Sequence, residues 1–575
     1  MKRFIYIFSI ICLTFILSCK QTTTPEPGQN TPNNDYPVTK EIPAFSPIGG
    51  FFKETQTVSI DCSDAKEIYY TIITPQNVID KENLEAPSET SIKYTGPFQV
   101  SEQCIIRAVA IKSDGTKNYA MTCFDFDLNR DNDYSGTKLE SPNWQDQIIY
   151  FILTDRFYNG DTTNDKNEGL ITQDGISYDE SIVLPGQPAS SYNGGDLKGI
   201  EQKLDYIQSL GATAIWITPP IKNQVADGNY HGFHGYWASD FTKVDEHMGT
   251  LEDYQSLVNE AHKRGMYVIQ DIVVNHVGDF QKIVPQLSIT AEMVKNKLSE
   301  TDFKLNKQSV PYAHPTQLPW AFNNVNDLTE DEFLYSSFYN YNASIYNFTD
   351  LSQRYIWQSS DLDDMKTSNP VVQNLLRGYF RYWIDKTNID GYRIDTVYYV
   401  EEEFFEGFIN SEESGNLGIR PYAKTLGKND FLNFGEAWST DEKIVSDYTQ
   451  SESGTPRIDS IIYFPLRFAI TDTISQGSKT SNISTVLQNR YRNTSKVHYA
   501  DPNRLVTFID NHDVDRFAKV MNGNIPLIKA AYGIIFTIPG IPQIYYGNEQ
   551  GFAGECREGM FTGSFRSEGT VQTQD

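Results

Sequence analysis

Four short stretches carry the side chains best suited to chemistry: Asp271-Ile-Val-Val-Asn275-His276, Gly391-Tyr-Arg393-Ile-Asp395, Gly435-Glu436-Ala-Trp438 and Ile509-Asp510-Asn511-His512-Asp513. Each closes an apolar run that reads as a β-strand. Arg393 and Asp395 are two apart, so on a strand they share a face. A guanidinium beside a carboxylate favours the charged form, and an ionised, oriented carboxylate is what a glycosyl-enzyme nucleophile must be. Glycosidic cleavage with retention needs a second carboxyl that starts protonated, donates to the leaving oxygen and then acts as base. Glu436, on the following strand, is the candidate. Asp513 is a third carboxylate able to hold sugar hydroxyls, and His276 and His512 can donate hydrogen bonds to the same ring. Any one of these motifs is also what a turn, a helix cap or a structural ion pair looks like. Four in order at strand ends are not.

Eight candidate strands position them: IIYFILTDRF, TAIWITP, MYVIQDIVVNH, GYRIDTV, DFLNFGEAW, DSIIYFP, RLVTFIDNH and IPQIYYGNE. Continuous apolar runs separated by helical patterns predict a parallel sheet covered on both sides. Eight such units predict an α/β chain with a (β/α)8 barrel over 140–575, whose reactive groups gather at the C-terminal strand ends. Before GYRID, Asn369-Pro370 reads as a helix cap with Pro at the first helical position; Val372, Leu375, Tyr379 and Trp383 follow at helical spacing. Residues 277–365 lack barrel periodicity and are expected to form an inserted domain after the third strand. Neither an eighth helix nor a C-terminal β-domain is evident in the tail GECREGMFTGSFRSEGTVQTQD.

Lys2 and Arg3 precede an apolar run from Phe4 to Leu17, too short for a comfortable membrane span and typical of a signal peptide, here 1–18. The ending Ile16-Leu17-Ser18-Cys19 resembles a bacterial lipobox, with Cys19 as the lipidated first residue of the mature protein. That places the chain in the cell envelope, anchored by lipid to a membrane, on an outer-membrane, periplasmic or surface face. Residues 19–40, rich in Thr, Pro, Asn and Gln, read as a disordered tether. Residues 41–130 alternate in short runs between turn residues and predict a small all-β sandwich. Its stretches FSPIGGFF, TVSIDCSDAKEIYYTI and KYTGPFQVSEQCIIRAVAIKSDG resemble the β-sandwich module appended to chitobiase-like and other bacterial carbohydrate enzymes, which spaces the catalytic domain or binds sugar; spacing is the favoured reading. Among Cys62, Cys104 and Cys123 one disulfide is expected, Cys62 with Cys104 being the pair considered. No cysteine spacing suggests zinc. The balance of 48 basic against 75 acidic side chains gives a formal charge of −27, which repels phosphate backbones and argues against a nucleic-acid partner. The 35 Tyr and 33 Phe fill a large core and leave some rings to stack on sugars.

From about residue 146 to 552 the chain resembles the alpha-amylase family of retaining glycoside hydrolases. DIVVNH, GYRID, GEAW and FIDNHD match its four main signature regions; GGDLKGI and HGYWASDF match flanking ones. The resemblance implies Asp395 as nucleophile, Glu436 as acid/base and Asp513 as transition-state stabiliser. It makes Arg393, His276 and His512 ligands of the sugar at the cleavage point and Tyr236 the aromatic platform beneath it, with His234 in the same loop. It implies hydrolysis of α-1,4 bonds in starch, maltodextrin or related α-glucans. The alternatives are a glucanotransferase or a cyclomaltodextrinase or neopullulanase of the same mechanism and, in another class, a surface lipoprotein that binds glucan without cutting it. Partners of a surface glucan-uptake system belong to the same picture. The chain departs from the family after the nucleophile: where many members carry Lys-His, it has Tyr398-Tyr399, which puts in doubt a calcium site shared with Asn275. Asn159-Gly-Asp161-Thr-Thr-Asn164-Asp165, with the later Gly194-Gly195-Asp196, resembles the calcium loop of neopullulanases and cyclodextrin glucanotransferases. It packs oxygen donors into one loop, as calcium requires, and implies a structural calcium ion.

Overall fold

The computed structural model describes residues 41–75, 86–165, 170–171, 177–178, 188–227, 230–283, 303–305, 309–310, 328–492, 494 and 496–561. The expected signal peptide, Cys19 and the tether lie outside them, as do residues 562–575 of the tail and much of the inserted region.

Eight parallel strands form the centre: β1 (Ile149–Ile152), β2 (Ala214–Ile217), β3 (Tyr267–Val273), β4 (Gly391–Asp395), β5 (Leu432–Gly435), β6 (Ser460–Ile461), β7 (Val506–Thr507) and β8 (Ile541–Tyr545). All eight fall within the predicted runs. The sheet runs β6-β5-β4-β3-β2-β1-β8-β7, and a parallel bridge between Ile462 and Val506 joins its two ends, so the sheet closes into a barrel. The strands are short and apolar because both faces are covered: every residue of Ile149–Ile152, Ala214–Ile217, Gly391–Asp395 and Leu432–Gly435 is buried, as a sheet wrapped by helices demands.

The helix Pro370–Thr387 starts where the sequence places it. Asn369 accepts a hydrogen bond from the Val371 N–H, Pro370 occupies the first turn, and Asn388 ends the helix at φ 57° with its N–H on Ile384 O. Between Tyr545 and Phe561 the described chain forms one short 3-10 turn, Asn548–Gln550, and no α-helix.

The N-terminal module is a β-sandwich. Its three-stranded sheet orders Ala44–Ser46, Gln56–Asp61 and Phe98–Val100; its five-stranded sheet orders Gly50–Phe52, Lys117–Phe126, Cys104–Lys112, Ala65–Ile73 and Ile92–Lys93. It packs firmly on the barrel. The Phe51 ring lies 5.1 Å from Tyr379 on helix Pro370–Thr387, and Gly378 makes room for it, since a Cβ there would stand 2.4 Å from the Phe51 Cβ. The Tyr379 hydroxyl donates to Asp125 Oδ2 at 2.8 Å. On its other side the module grips the inserted region: Arg107 makes two bonds to Glu332, at 2.7 and 2.6 Å, both side chains fully buried. The Tyr119 N–H meets Asp331, and the Met121 N–H meets Ser336. The module is therefore a brace between a barrel helix and the inserted segment, where a loose spacer would have a solvated outer face. Arg107→Leu is expected to cost about 3–5 kcal/mol by stranding Glu332 without its partner, visible as a lower midpoint in urea unfolding.

The expected disulfide does not form. Cys62, Cys104 and Cys123 are free thiols. Cys104 belongs to the sandwich core and Cys123 to the core shared with the barrel. They sit one register step apart on paired strands, Cys104 opposite Phe124 and Ile105 opposite Cys123, so their side chains point to opposite faces of the sheet. The Cys62 thiol instead lies against Asp64 and the Glu41 carbonyl.

Candidate active site

The register of three adjacent strands places the polar groups. Asp271 on β3 is paired with Arg393 on β4, and Val273 with Asp395; Ile394 is paired with Gly435 on β5, and the Glu436 N–H continues the ladder onto Ile394 O at 2.9 Å. Asp395 and Glu436 thus leave neighbouring strands, about 4.8 Å apart, at the same level of the barrel mouth.

Arg393 organises them. Its Nη1 bonds both oxygens of Asp271 at 2.9 Å and Asp395 Oδ1 at 2.8 Å, while Nη2 lies 2.9 Å from Glu436 Oε2. The guanidinium is fully buried. Asp271 is further held by the Tyr236 hydroxyl at 2.8 Å and the Trp216 indole N–H at 3.1 Å. Thr396, next in the chain, takes the left-handed conformation at φ 45°, rare for a β-branched residue and costly enough to need support from its surroundings. That turn delivers its hydroxyl to Asp395 Oδ2 at 3.0 Å and its N–H toward Glu436 Oε2 at 3.4 Å.

One guanidinium thus faces three carboxylates, and the charge imbalance falls on two of them: burial pushes Asp271 up to about 7, and Glu436 further. Burial, with Asp395 and Asp513 adding repulsion against the pull of Arg393, pushes the Glu436 carboxyl up to about 8. Its Oε1 is buried and has no hydrogen-bond partner. Glu436 is therefore a neutral acid at pH 7, anchored by one oxygen and open at the other.

The fourth motif enters after β7. The His512 ring stacks on Tyr236, centroids 5.3 Å apart and planes 11° from parallel, and its Nε2 lies 3.2 Å from Asp513 Oδ2. Burial lowers His512 to about 3, so the ring is neutral. Burial also lowers His276, which lies beside the Tyr236 backbone and feels the Asp395 charge; its Nε2 is buried without a partner. His234 accepts from the Tyr236 N–H at 3.0 Å and stacks on its ring, centroids 5.7 Å apart. All eight residues singled out from the sequence for catalysis and sugar binding therefore gather in one cluster at the barrel mouth. Sequence reasoning singles out neither Trp216 nor Thr396 and gives Asp271 no role of its own. Asp271 is legible, since it opens the first motif; Trp216 sits inside an apolar strand, where nothing local marks it.

The six residues of the calcium loop do not act as one set. Asp196 caps the helix Leu197–Gln202 and accepts from the backbone N–H groups of Gly160, Asp161 and Gly199. Asp161 is paired with Lys198 at 2.5 Å. Both carboxylates thus also serve partners within the protein. The rest do assemble: Asn159 Nδ2 bonds Asp165 Oδ1 at 2.8 Å, and Gly194 packs so closely that a Cβ would stand 2.6 Å from the Asn159 amide and 3.0 Å from the Asp165 carboxylate. The Oδ1 atoms of Asn159 and Asn164 are buried without a partner. Orphaned amide oxygens beside a carboxylate fit a hard cation. Among the described residues no group of three or more His, Cys, Asp or Glu converges as a metal site, so a cation here must draw on amide and carbonyl oxygens as well. At the position where the shared site was in doubt, Asp364 is bridged to His276. Burial pushes its carboxyl well up; Asn340 donates to one oxygen and the other has no partner.

A closed parallel barrel with two carboxyls meeting one buried arginine at its C-terminal rim is the arrangement of a barrel enzyme that works through paired carboxyl groups. Residues 151–574 match the family described as alpha amylase, catalytic domain, and residues 58–123 match one described as Fn3 associated; the chain belongs to the alpha-amylase family. It is 32% identical to a beta/alpha-amylase of Paenibacillus polymyxa over 72% of this chain and 28% of that protein, and 32% identical to an alpha-amylase of Streptomyces lividans over 64% and 42%. It thus spans less than half the length of these two relatives. The crystal structure of an alpha-amylase from Geobacillus thermoleovorans complexed with acarbose is similar at 31% identity and a TM-score of 0.51, over 74% of this chain and 76% of that one.

Proposed function

We propose that the chain is a retaining glycoside hydrolase cleaving α-1,4-glucosidic bonds of starch-like glucans. The observation that carries this is the placing of Asp395 and Glu436 on the two ends of one guanidinium, with Glu436 Oε1 unbonded. In the first step Asp395 attacks the anomeric carbon and forms the ester, while Glu436 gives its proton to the departing glycosidic oxygen. In the second, Glu436 takes a proton from water, whose oxygen attacks the same carbon and frees Asp395. Tyr236 offers the ring its face, and Asp513, His512 and His276 hold hydroxyls as the ring flattens. The test is release of reducing ends from amylose by the wild-type chain and not by Asp395→Asn. Linear products support the hydrolase. A cyclic product reassigns the chain as a glucanotransferase, and amylose binding without release makes it a binding lipoprotein.

Calcium is part of the same proposal. Asn159, Asn164 and Asp165, packed against Gly194, would hold it, and the ion would fix the loop that follows β1. Chelation with EDTA is expected to lower the melting temperature of the wild type, with recovery on adding calcium, and to leave Asp165→Ala unchanged; equal melting of treated and untreated wild type would refute the site. The lipobox reading supports a lipid on Cys19 and an envelope location beside a glucan-uptake system. Loss of detergent-phase partitioning in Cys19→Ala is the expected result.

A further inference from the structure

We propose that Arg557, carried by the segment after β8, is the dedicated counter-ion and positioning residue of Asp513. The geometry is direct. Arg557 Nη2 donates to Asp513 Oδ1 at 2.8 Å, and Nε donates to the His512 carbonyl at 3.0 Å. One planar group therefore fixes both the carboxylate and the backbone one residue before it.

The other groups facing Asp513 are His512, Arg393, Glu436, Tyr236, His234 and Cys556. His512 is close, but burial keeps it neutral above about pH 3, so at working pH it contributes a hydrogen bond. Burial keeps His234 neutral and pushes Tyr236 and the Cys556 thiol up, so both keep their protons. Arg393 already serves Asp271, Asp395 and Glu436. Burial would raise Asp513; His512, then Arg557, then Arg393 pull it down, and the net result is a carboxyl held below its ordinary range, with Arg557 the permanently charged group that bonds it directly. The segment that carries it is pinned in place: Tyr545 and Tyr546 donate their hydroxyls to the carbonyls of Cys556 and Glu558, and the Met560 and Phe561 N–H groups bond the carbonyls of Arg156 and Phe157.

This inference rests on the glycosidase reading for its kinetic arm alone. On a chromogenic aryl α-maltooligoside, Arg557→Leu is expected to lower kcat about 10–100-fold with little change in KM. It should move the acid limb of the pH profile upward by about one unit or more, because Asp513 then protonates more readily. Arg557→Lys, keeping the charge without the fork, is expected to restore the acid limb and part of kcat. A Leu variant with an unmoved acid limb, or a loss confined to KM, would overturn the proposal. A second arm needs no activity: the melting temperature of Arg557→Leu should fall below wild type at pH 7, and the gap should close as acid protonates Asp513. A gap that does not vary with pH would overturn it equally, and would leave the glycosidase reading standing.

Discussion

Replacing Glu436 by Gln is expected to lower kcat/KM on amylose by about 10²–10⁴-fold and yet to raise the melting temperature at neutral and alkaline pH. Gln has the shape of the protonated acid but no proton to give, so the first step loses its acid and the second its base. The stability gain follows from burial. The folded protein holds the Glu436 proton up to about 8, against an ordinary value of 4.5. The stabilisation from that bound proton is complete below about 4.5 and drains away as pH rises through 8. By linkage the wild type has given up as much as about 3 kcal/mol at pH 7. The amide never ionises and gives up nothing. Melting curves of both forms from pH 4 to 9 check this: the two should converge at low pH and diverge upward. Parallel curves would mean that Glu436 is not held protonated. The same group sets the activity profile of the wild type, which should fall off above about pH 8, because the acid must enter the first step with its proton on.

Asp395→Asn is expected to remove activity by about 10⁴-fold or more, the scale of losing a covalent nucleophile. The substitution is nearly isosteric and keeps a carbonyl oxygen for the Arg393 Nη1 bond of 2.8 Å, so folding should survive. In Asp395→Gly, which empties that position, azide supplied as an external nucleophile can enter the space the carboxylate filled. With an aryl α-maltooligoside it should restore turnover and yield a β-glycosyl azide, inverted because only one displacement then occurs at the anomeric carbon. Recovery with a retained product, or a variant keeping a tenth of wild-type activity, would remove Asp395 from the nucleophile's place.

Much of this was readable in advance for a physical reason. Doubly covered strands must be apolar throughout, so the eight runs stand out, and the polar residues that end them stand out against those runs. GYRID shows this: Arg393 and Asp395 share a face by strand geometry alone. The helix cap at Asn369 depends on neighbours a few residues away and is likewise local. The expected Cys62–Cys104 disulfide failed because lying in one region of the chain does not bring two side chains together: Cys104 is buried in the sandwich core, while Cys62 lies against Asp64 and Glu41. In the loop expected to hold calcium the sequence showed a crowd of oxygens; only the fold reveals that Asp161 also pairs with Lys198 and that Asp196 also caps the next helix.

The amino-acid sequence by itself determined the barrel, the identity of the carboxylates and the order in which they arrive at its rim, because these follow from polarity and periodicity along the chain. Only the tertiary structure decided which carboxyl keeps a proton, that the sandwich is clamped to the inserted region through Arg107 and Glu332, and that Arg557 reaches Asp513. Those outcomes depend on burial and on pairs 225 and 44 residues apart, and electrostatic energy is set by distance in space, which separation along a chain does not encode.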